Sequence, residues 1–328
     1  MWFNKVSDSP TPANIDQQLA TLASDGVHLS IDEMLYYQGK VSLIDLAPKK
    51  ALHGQLAGNY LARTKGRGME FDEVRHYQNG DDIRAIDWRV TARTGKTHTK
   101  LFREEVERPV LIATDFGNSM YFGSRLLFKS VQAAHVAALL GWHASKRGDR
   151  LGGLVFNQNQ HMELKPKSRQ KGVLHYLHTL EELHKVQSTE NTDNQYFYDN
   201  CLRLKQIAKP GALVYLITDG YHFDSRAIKP LSQISRHCEL VVCHIHDPME
   251  LALPNFHQKT AVALTNGEQE LQLTLGDKKT ARQYQKQADE RFEQLHGYFR
   301  KAGARCLSFS AGESIEQQLK SGVASWIP

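Results

Sequence analysis

Five short apolar runs, rich in β-branched residues and alternating with helical patterns, constrain this chain most. They cover 109–114, 151–156, 212–218, 239–245 and 305–309, and the first and third lead directly into Asp115 and Asp219. Runs this uniformly apolar are buried on both faces, as the central strands of parallel sheets are. Between them, 124–146 sets Leu127, Val131, Ala134, Ala138 and Trp142 on one helical stripe, with Gly148 as the stop. Further helices are predicted over 172–183, 195–208, 225–235, 281–302 and from Ser314. Strand and helix in alternation give right-handed crossovers and an α/β, doubly wound, mostly parallel sheet. A polar turn at 157–160 predicts that 161–164 returns as an antiparallel edge strand. Asn266-Gly267 between two strand-like runs, 260–264 and 270–275, predicts a β-hairpin insertion at about 249–279.

The first hundred residues lack this rhythm. Short helices are predicted at 15–23 and 31–37, and strand-like pieces at 69–77 and 98–103 form a small β element. The division expected is an amino-terminal segment, 1–105, leaning on an α/β domain, 106–328. A net charge of +5 over 328 residues shows no concentrated basic stripe, which argues against nucleic acid as a partner. No apolar run approaches the roughly 20 residues that span a bilayer. Met1-Trp2-Phe3-Asn4-Lys5 lacks the apolar core of a signal peptide, so a cytoplasmic location is expected. Cys201, Cys238, Cys243 and Cys306 have no CxxC spacing and read as buried apolar side chains.

In an open α/β sheet ligands gather at the carboxyl ends of the strands. Asp115, followed by Ser119, and Asp219, followed by Gly220, belong at that rim, with Thr192 in a nearby loop. Two carboxylate loops and a hydroxyl loop make a hard-oxygen site for Mg²⁺ or Mn²⁺. The plainer reading is that these aspartates only cap the turns that follow them.

The strand, the Asp115-Phe116-Gly117-Asn118-Ser119 loop, the threonine loop and the Thr218-Asp219-Gly220 strand end resemble the von Willebrand factor type A fold and its metal-ion-dependent adhesion site. Carried over, the ligands are Asp115, Ser119, Thr192 and Asp219, and Gly117 replaces an expected serine, so the site is partial. A wider signature resembles the bacterial domain-of-unknown-function 58 family. It comprises Gly66 to Phe71, Arg75 to Asp82, Arg84 to Trp88, Ala92-Arg93, Ser119 to Gly123, Asp247 to Glu250 and Leu253-Pro254. That resemblance implies a von Willebrand-type domain often encoded beside a MoxR-type AAA+ ATPase, and so an adaptor or assembly factor with such a partner.

The segment around this signature is dense in opposite charges. Asp81, Asp82 and Asp87 stand against Arg75, Arg84 and Arg93, with Trp88 among them, and the Gly80-Asp81 turn is expected to leave Asp81 and Asp82 free to accept from guanidinium forks. It reads as an ion-pair web or as a docking surface. His244 and His246 fall on one strand face and read as a satisfied strand-end pair before metal ligands. No GxSxG elbow, recognisable Cys/His pair or GxGxxG after a strand appears, and no catalytic residue is assigned. The function expected is a non-catalytic adaptor working by protein–protein interaction. The alternative is a metal-dependent hydrolase, a phosphoesterase or nuclease, built on the strand-end aspartates.

Overall fold

A computed structural model describes residues 12–46, 69–78, 80–104, 108–186, 194–254, 260–265, 270–321 and 326–327. The chain forms two compact units, one of residues 1–54 with 108–328 and the other of residues 55–107.

The larger unit enters through α1 (Pro12–Leu22), α2 (Ile31–Leu35) and a 3₁₀ stretch, Tyr36–Leu46. It continues as β1 (Pro109–Asp115), α3 (Lys129–Lys146), β2 (Arg150–Phe156), β3 (His161–Ser168), α4 (Arg169–His184), α5 (Gln195–Ile207) and β4 (Leu213–Thr218). Then come α6 (Ser225–Ser235), β5 (Glu239–His246), α7 (Pro248–Leu251), α8 (Lys278–Lys301), β6 (Arg305–Ser310) and α9 (Ile315–Lys320). The sheet order is Trp326–Ile327, β6, β5, β4, β1, β2, β3. All pairs from β6 to β2 are parallel, while β3 and Trp326–Ile327 are antiparallel at the two edges. The fold is therefore the expected doubly wound α/β sheet. The chain reverses at β1, where β4 and β2 lie on opposite sides, and such a switch point opens a crevice at the strands' carboxyl ends.

Alternation along the buried strands feeds two cores. Val110 and Ile112 of β1 join one with α3 and α4, while Leu111 and Ala113 join the other with α5, α6 and α8. Helix α3 lies between layers, with 14 of its 18 residues buried, which is why its apolar character runs around the helix and not along one stripe. Its outer cover is the amino-terminal helices. Leu22, Leu29, Met34 and Tyr37 are buried in the same core, and Trp142 Nε1 donates to the Met34 carbonyl at 3.1 Å. His135 Nε2 meets Glu33 at 3.1 Å and its Nδ1 meets the Tyr37 hydroxyl at 3.1 Å. Residues 12–46 thus group with the sheet, and the expected amino-terminal segment, 1–105, is divided between the two units.

Helix α3 starts at Lys129, five residues later than its apolar pattern predicts. Residues 124–128 are held in a loop: Leu127 N donates to the Ala311 carbonyl at 3.1 Å and Phe128 N to the Gly26 carbonyl at 2.7 Å. Gly148, at φ +81°, ends the helix as expected. Strands Thr260–Thr265 and Glu270–Leu275 pair antiparallel as expected, and their Asn266-Gly267 turn lies outside the described residues. All four cysteines are free and buried.

In the smaller unit, Met69–His76 and His98–Glu104 pair antiparallel with a bulge between Phe71 and Glu73. A seven-residue helix, Trp88–Thr94, packs beside them and ends on Gly95.

Candidate functional site: a buried lysine among strand-end carboxylates

Strands β5, β4 and β1 are neighbours, so the residues that end them meet at one rim. Asp115 ends β1 and is 1% exposed. Its Oδ1 accepts from Gly117 N at 2.9 Å and its Oδ2 from Thr218 Oγ1 at 2.8 Å, with the Tyr196 hydroxyl 3.4 Å from Oδ1. Burial, and then the nearby Asp219 charge, raise its pKa to about 7 against those hydrogen bonds.

Asp219 follows β4. Its Oδ1 accepts from Tyr221 N at 2.9 Å, and its Oδ2 accepts from Lys129 Nζ at 2.8 Å. Burial works against its charge, but the ammonium and these hydrogen bonds prevail and hold its pKa below the usual carboxylate value. The same Nζ reaches Glu250 Oε1 at 2.5 Å, and the Lys129 side chain is 1% exposed. Burial opposes that charge too, yet Asp219 and Glu250 raise the lysine's pKa.

Glu250 belongs to α7, where Asp247 caps the helix: Asp247 Oδ1 accepts from Met249 N at 2.8 Å, and Asp247 N donates to Glu250 Oε2 at 2.9 Å. Asp247 also takes Ser124 N at 2.8 Å and Ser124 Oγ at 2.5 Å. The Asp247-Pro248-Met249-Glu250 signature therefore fastens the loop before α3 and supplies the second carboxylate to Lys129.

Two of the sequence-predicted ligands, Asp115 and Asp219, thus lie at one rim. Ser119 follows in the Asp115 loop and helps hold Asp219 ionised, although its buried Oγ reaches no full hydrogen-bond geometry. Thr192 lies outside the described residues. At Gly117 an added Cβ would stand 2.2 Å from the Tyr196 hydroxyl and 3.2 Å from Asp115 Oδ1. The tyrosine hydroxyl has taken the space of the expected serine. As arranged, the described residues do not fit Mg²⁺ or Mn²⁺. Both Asp115 oxygens accept from the protein, Asp219 is taken by an ammonium and an amide, and no group of three or more His, Cys, Asp or Glu among them could hold a metal.

Lys129 and Tyr196 escaped the sequence reading, and Glu250 entered it only within the family signature. The lysine left no usable signal: the apolar pattern starts the helix at Ser124, so its place at the helix start, where the macrodipole disfavours a cation unless carboxylates compensate, emerges only in the structure. Tyr196 left none, since it stands far from Gly117 along the chain. Around these groups the rim shows aromatic rings. Phe122, in the loop after Asp115, is 41% exposed, and Tyr221, two residues after Asp219, is 49% exposed with the Arg291 guanidinium 4.7 Å from its ring centre. A surface cavity of about 760 Å³ lies elsewhere, lined by Trp142, Lys146, Arg169 and Lys171 among others.

The paired histidines are satisfied, as expected. His244 Nε2 meets the Asp219 carbonyl at 3.1 Å and its Nδ1 meets His296 at 3.3 Å, while His246 Nδ1 meets Ser308 Oγ at 3.0 Å. Burial lowers the pKa of all three rings.

The smaller unit corrects one expectation. Its aspartates mostly accept from backbone amides and not from guanidinium forks. Asp82 Oδ1 accepts from Arg84 N at 3.0 Å and caps the turn Ile83–Ala85. Asp87 accepts from Arg89 N at 3.0 Å and Val90 N at 3.1 Å and caps Trp88–Thr94. Asp81 alone takes an arginine at hydrogen-bond distance, Arg75 at 2.6 Å, and also accepts from Gln78 N at 2.9 Å. Arg84 and Arg93 are exposed and form no ion pair among the described residues. Short aspartates reach amides two or three residues ahead more readily than distant forks. Trp88 is 68% exposed and Ile83 66%.

A family model described as "Protein of unknown function DUF58" matches residues 73–294. Uncharacterized proteins of Mycobacterium bovis and Mycobacterium tuberculosis are 27% identical over 212 residues, 65% of this chain. The chain spans 66% of the length of those relatives. Among solved structures, a conserved hypothetical protein, BatB, from Bacteroides thetaiotaomicron superposes with a TM-score of 0.40 at 15% identity, over 66% of this chain and 100% of that one. A von Willebrand factor type A protein from Catenulispora acidiphila gives 0.31 at 11% identity, over 69% of this chain and 42% of that one.

Proposed function

This chain belongs to the DUF58 family, and from that premise we propose that it is a non-catalytic adaptor whose carboxyl-edge loops dock a protein partner. The observation that carries this reading is the rim itself. Its charged groups are spent on one another, Lys129 and Asp219 buried and Glu250 partly exposed, while the loops after both aspartates expose Phe122 and Tyr221. Aromatic rings on loops held by a rigid sheet are what protein interfaces use as anchors. Trp88 and Ile83 offer the smaller unit a second apolar contact. The partner proposed is a MoxR-type AAA+ ATPase in the cytoplasm, on the strength of the family resemblance. Among the described residues, no helix is long and apolar enough to cross a membrane.

One observation favours the hydrolase reading: a carboxyl with a pKa of about 7 is poised for general acid–base work. Against it, Asp115 is sealed at 1% exposure and both its oxygens are engaged.

The test is capture of the ATPase from native lysate by the full chain and by Phe122→Ala/Tyr221→Ala. Retention by wild type and loss in the variant supports docking at the rim; equal capture by both refutes it. Turnover of generic phosphoesters by pure protein, abolished by Asp219→Ala, would overturn the non-catalytic reading.

A further inference from the structure

The rim has the carboxylates of a cation site and a cation of its own. We propose that Lys129 is the resident cation of Asp219, occupying the carboxylate that a divalent metal would need, so that the rim loops keep their arrangement and dock their partner without Mg²⁺ or Mn²⁺. The clause about docking rests on the adaptor reading; the occupancy of the site does not.

Three independent observations point the same way. The Lys129 side chain is 1% exposed and its Nζ bridges Asp219 on one loop to Glu250 on another, which is the cross-linking a metal gives. It opens α3, so its backbone is fixed by a helix with 14 of 18 residues buried. The oxygen that a serine would add at position 117 is excluded, because the Tyr196 hydroxyl fills that space. Mg²⁺ needs near-octahedral oxygen ligands at about 2.1 Å. Here the ammonium holds one Asp219 oxygen and a backbone amide the other. A divalent ion would have to enter beside a buried positive charge, or expel it.

Mn²⁺ titration of the full chain, read by the paramagnetic resonance of free Mn²⁺, decides the matter. The wild type is expected to bind no stoichiometric Mn²⁺ below about 1 mM, the range of weak oxygen-ligand sites. Its melting temperature should not move with Mg²⁺. Lys129→Ala is expected to gain one Mn²⁺ site at least about tenfold tighter, which Asp219→Ala in the same chain removes. Lys129→Gln, one atom shorter and neutral but still a donor, serves as the second variant if the alanine chain does not fold. A wild-type site of micromolar affinity that Asp219→Ala abolishes would overturn the proposal. So would the absence of any gain in both lysine variants. Partner capture that survives EDTA supports the docking clause, and capture lost in EDTA overturns it. Failure of capture in every buffer sinks the adaptor reading, while the titration still decides the occupancy of the site.

Discussion

Replacing Asp115 with asparagine should move stability in the variant's favour as the pH rises. The folded carboxyl has its pKa raised from 3.8 to about 7, chiefly by burial and next by Asp219. Between those two values the folded state keeps a proton that the unfolded chain has released. The contribution of Asp115 to stability is therefore complete below pH 3.8 and is lost as the pH rises through about 7. A shift of about three units at 1.36 kcal/mol each amounts to about 4 kcal/mol in all. Of this, roughly 2.5 kcal/mol falls between pH 5 and pH 8. Asparagine has nearly the same shape and no charge to desolvate, and its oxygen can accept from Gly117 N. Its amide replaces the acceptor of the Thr218 hydroxyl, a cost that does not vary with pH and cancels between the two pH values. Urea unfolding of wild type and Asp115→Asn at both pH values, compared at matched m-values, isolates this residue from the other titrating groups. The stability difference should move in favour of Asp115→Asn by about 1.5–3 kcal/mol from pH 5 to pH 8. A difference that stays flat, or moves the other way, would refute an account in which burial and the Asp219 charge govern this carboxyl.

Restoring the serine with Gly117→Ser should cost about 1–3 kcal/mol, since the new Cβ meets the Tyr196 hydroxyl. Adding Tyr196→Phe should recover part of that cost, and additivity in the double-mutant cycle would show that the two side chains do not compete. In the smaller unit, Asp87→Ala should destabilise Trp88–Thr94 by about 1 kcal/mol through loss of its cap. Trp88→Ala, at an exposed position, should change stability by less than about 0.5 kcal/mol, as read by chemical unfolding.

The sheet was legible because doubly buried strands leave a direct mark: uninterrupted apolar runs bounded by Asp, Gly and polar turns. The edge strand β3 was legible from its turn, and Asp115 and Asp219 from strand-end position alone. What sequence could not supply were relations between distant positions. Lys129 has nothing local to mark it as buried, and its partners lie 90 and 121 residues away. Tyr196 and Gly117 are complementary only once α5 lies over the β1 loop. Helices α1 and α2 are short and polar enough to pass for surface, so their role as cover for α3 was hidden. Asp82 has arginines beside it in the sequence, but the backbone amide two residues ahead lies nearer than any guanidinium.

Helix α3 carries a consequence for how this protein can be divided. One end holds Lys129 at the rim; farther along, His135 and Trp142 fasten residues 33–37. At about 1.5 Å per residue it is a rod of about 27 Å, closed in along nearly its whole circumference. A fragment cut to begin at β1, the natural boundary by sequence pattern, would remove one wall from that rod. It would bare Trp142 and leave His135 without either partner. The smallest self-sufficient piece of the α/β unit is therefore discontinuous in sequence, and any attempt to study the rim by itself must carry residues 12–46 along with it.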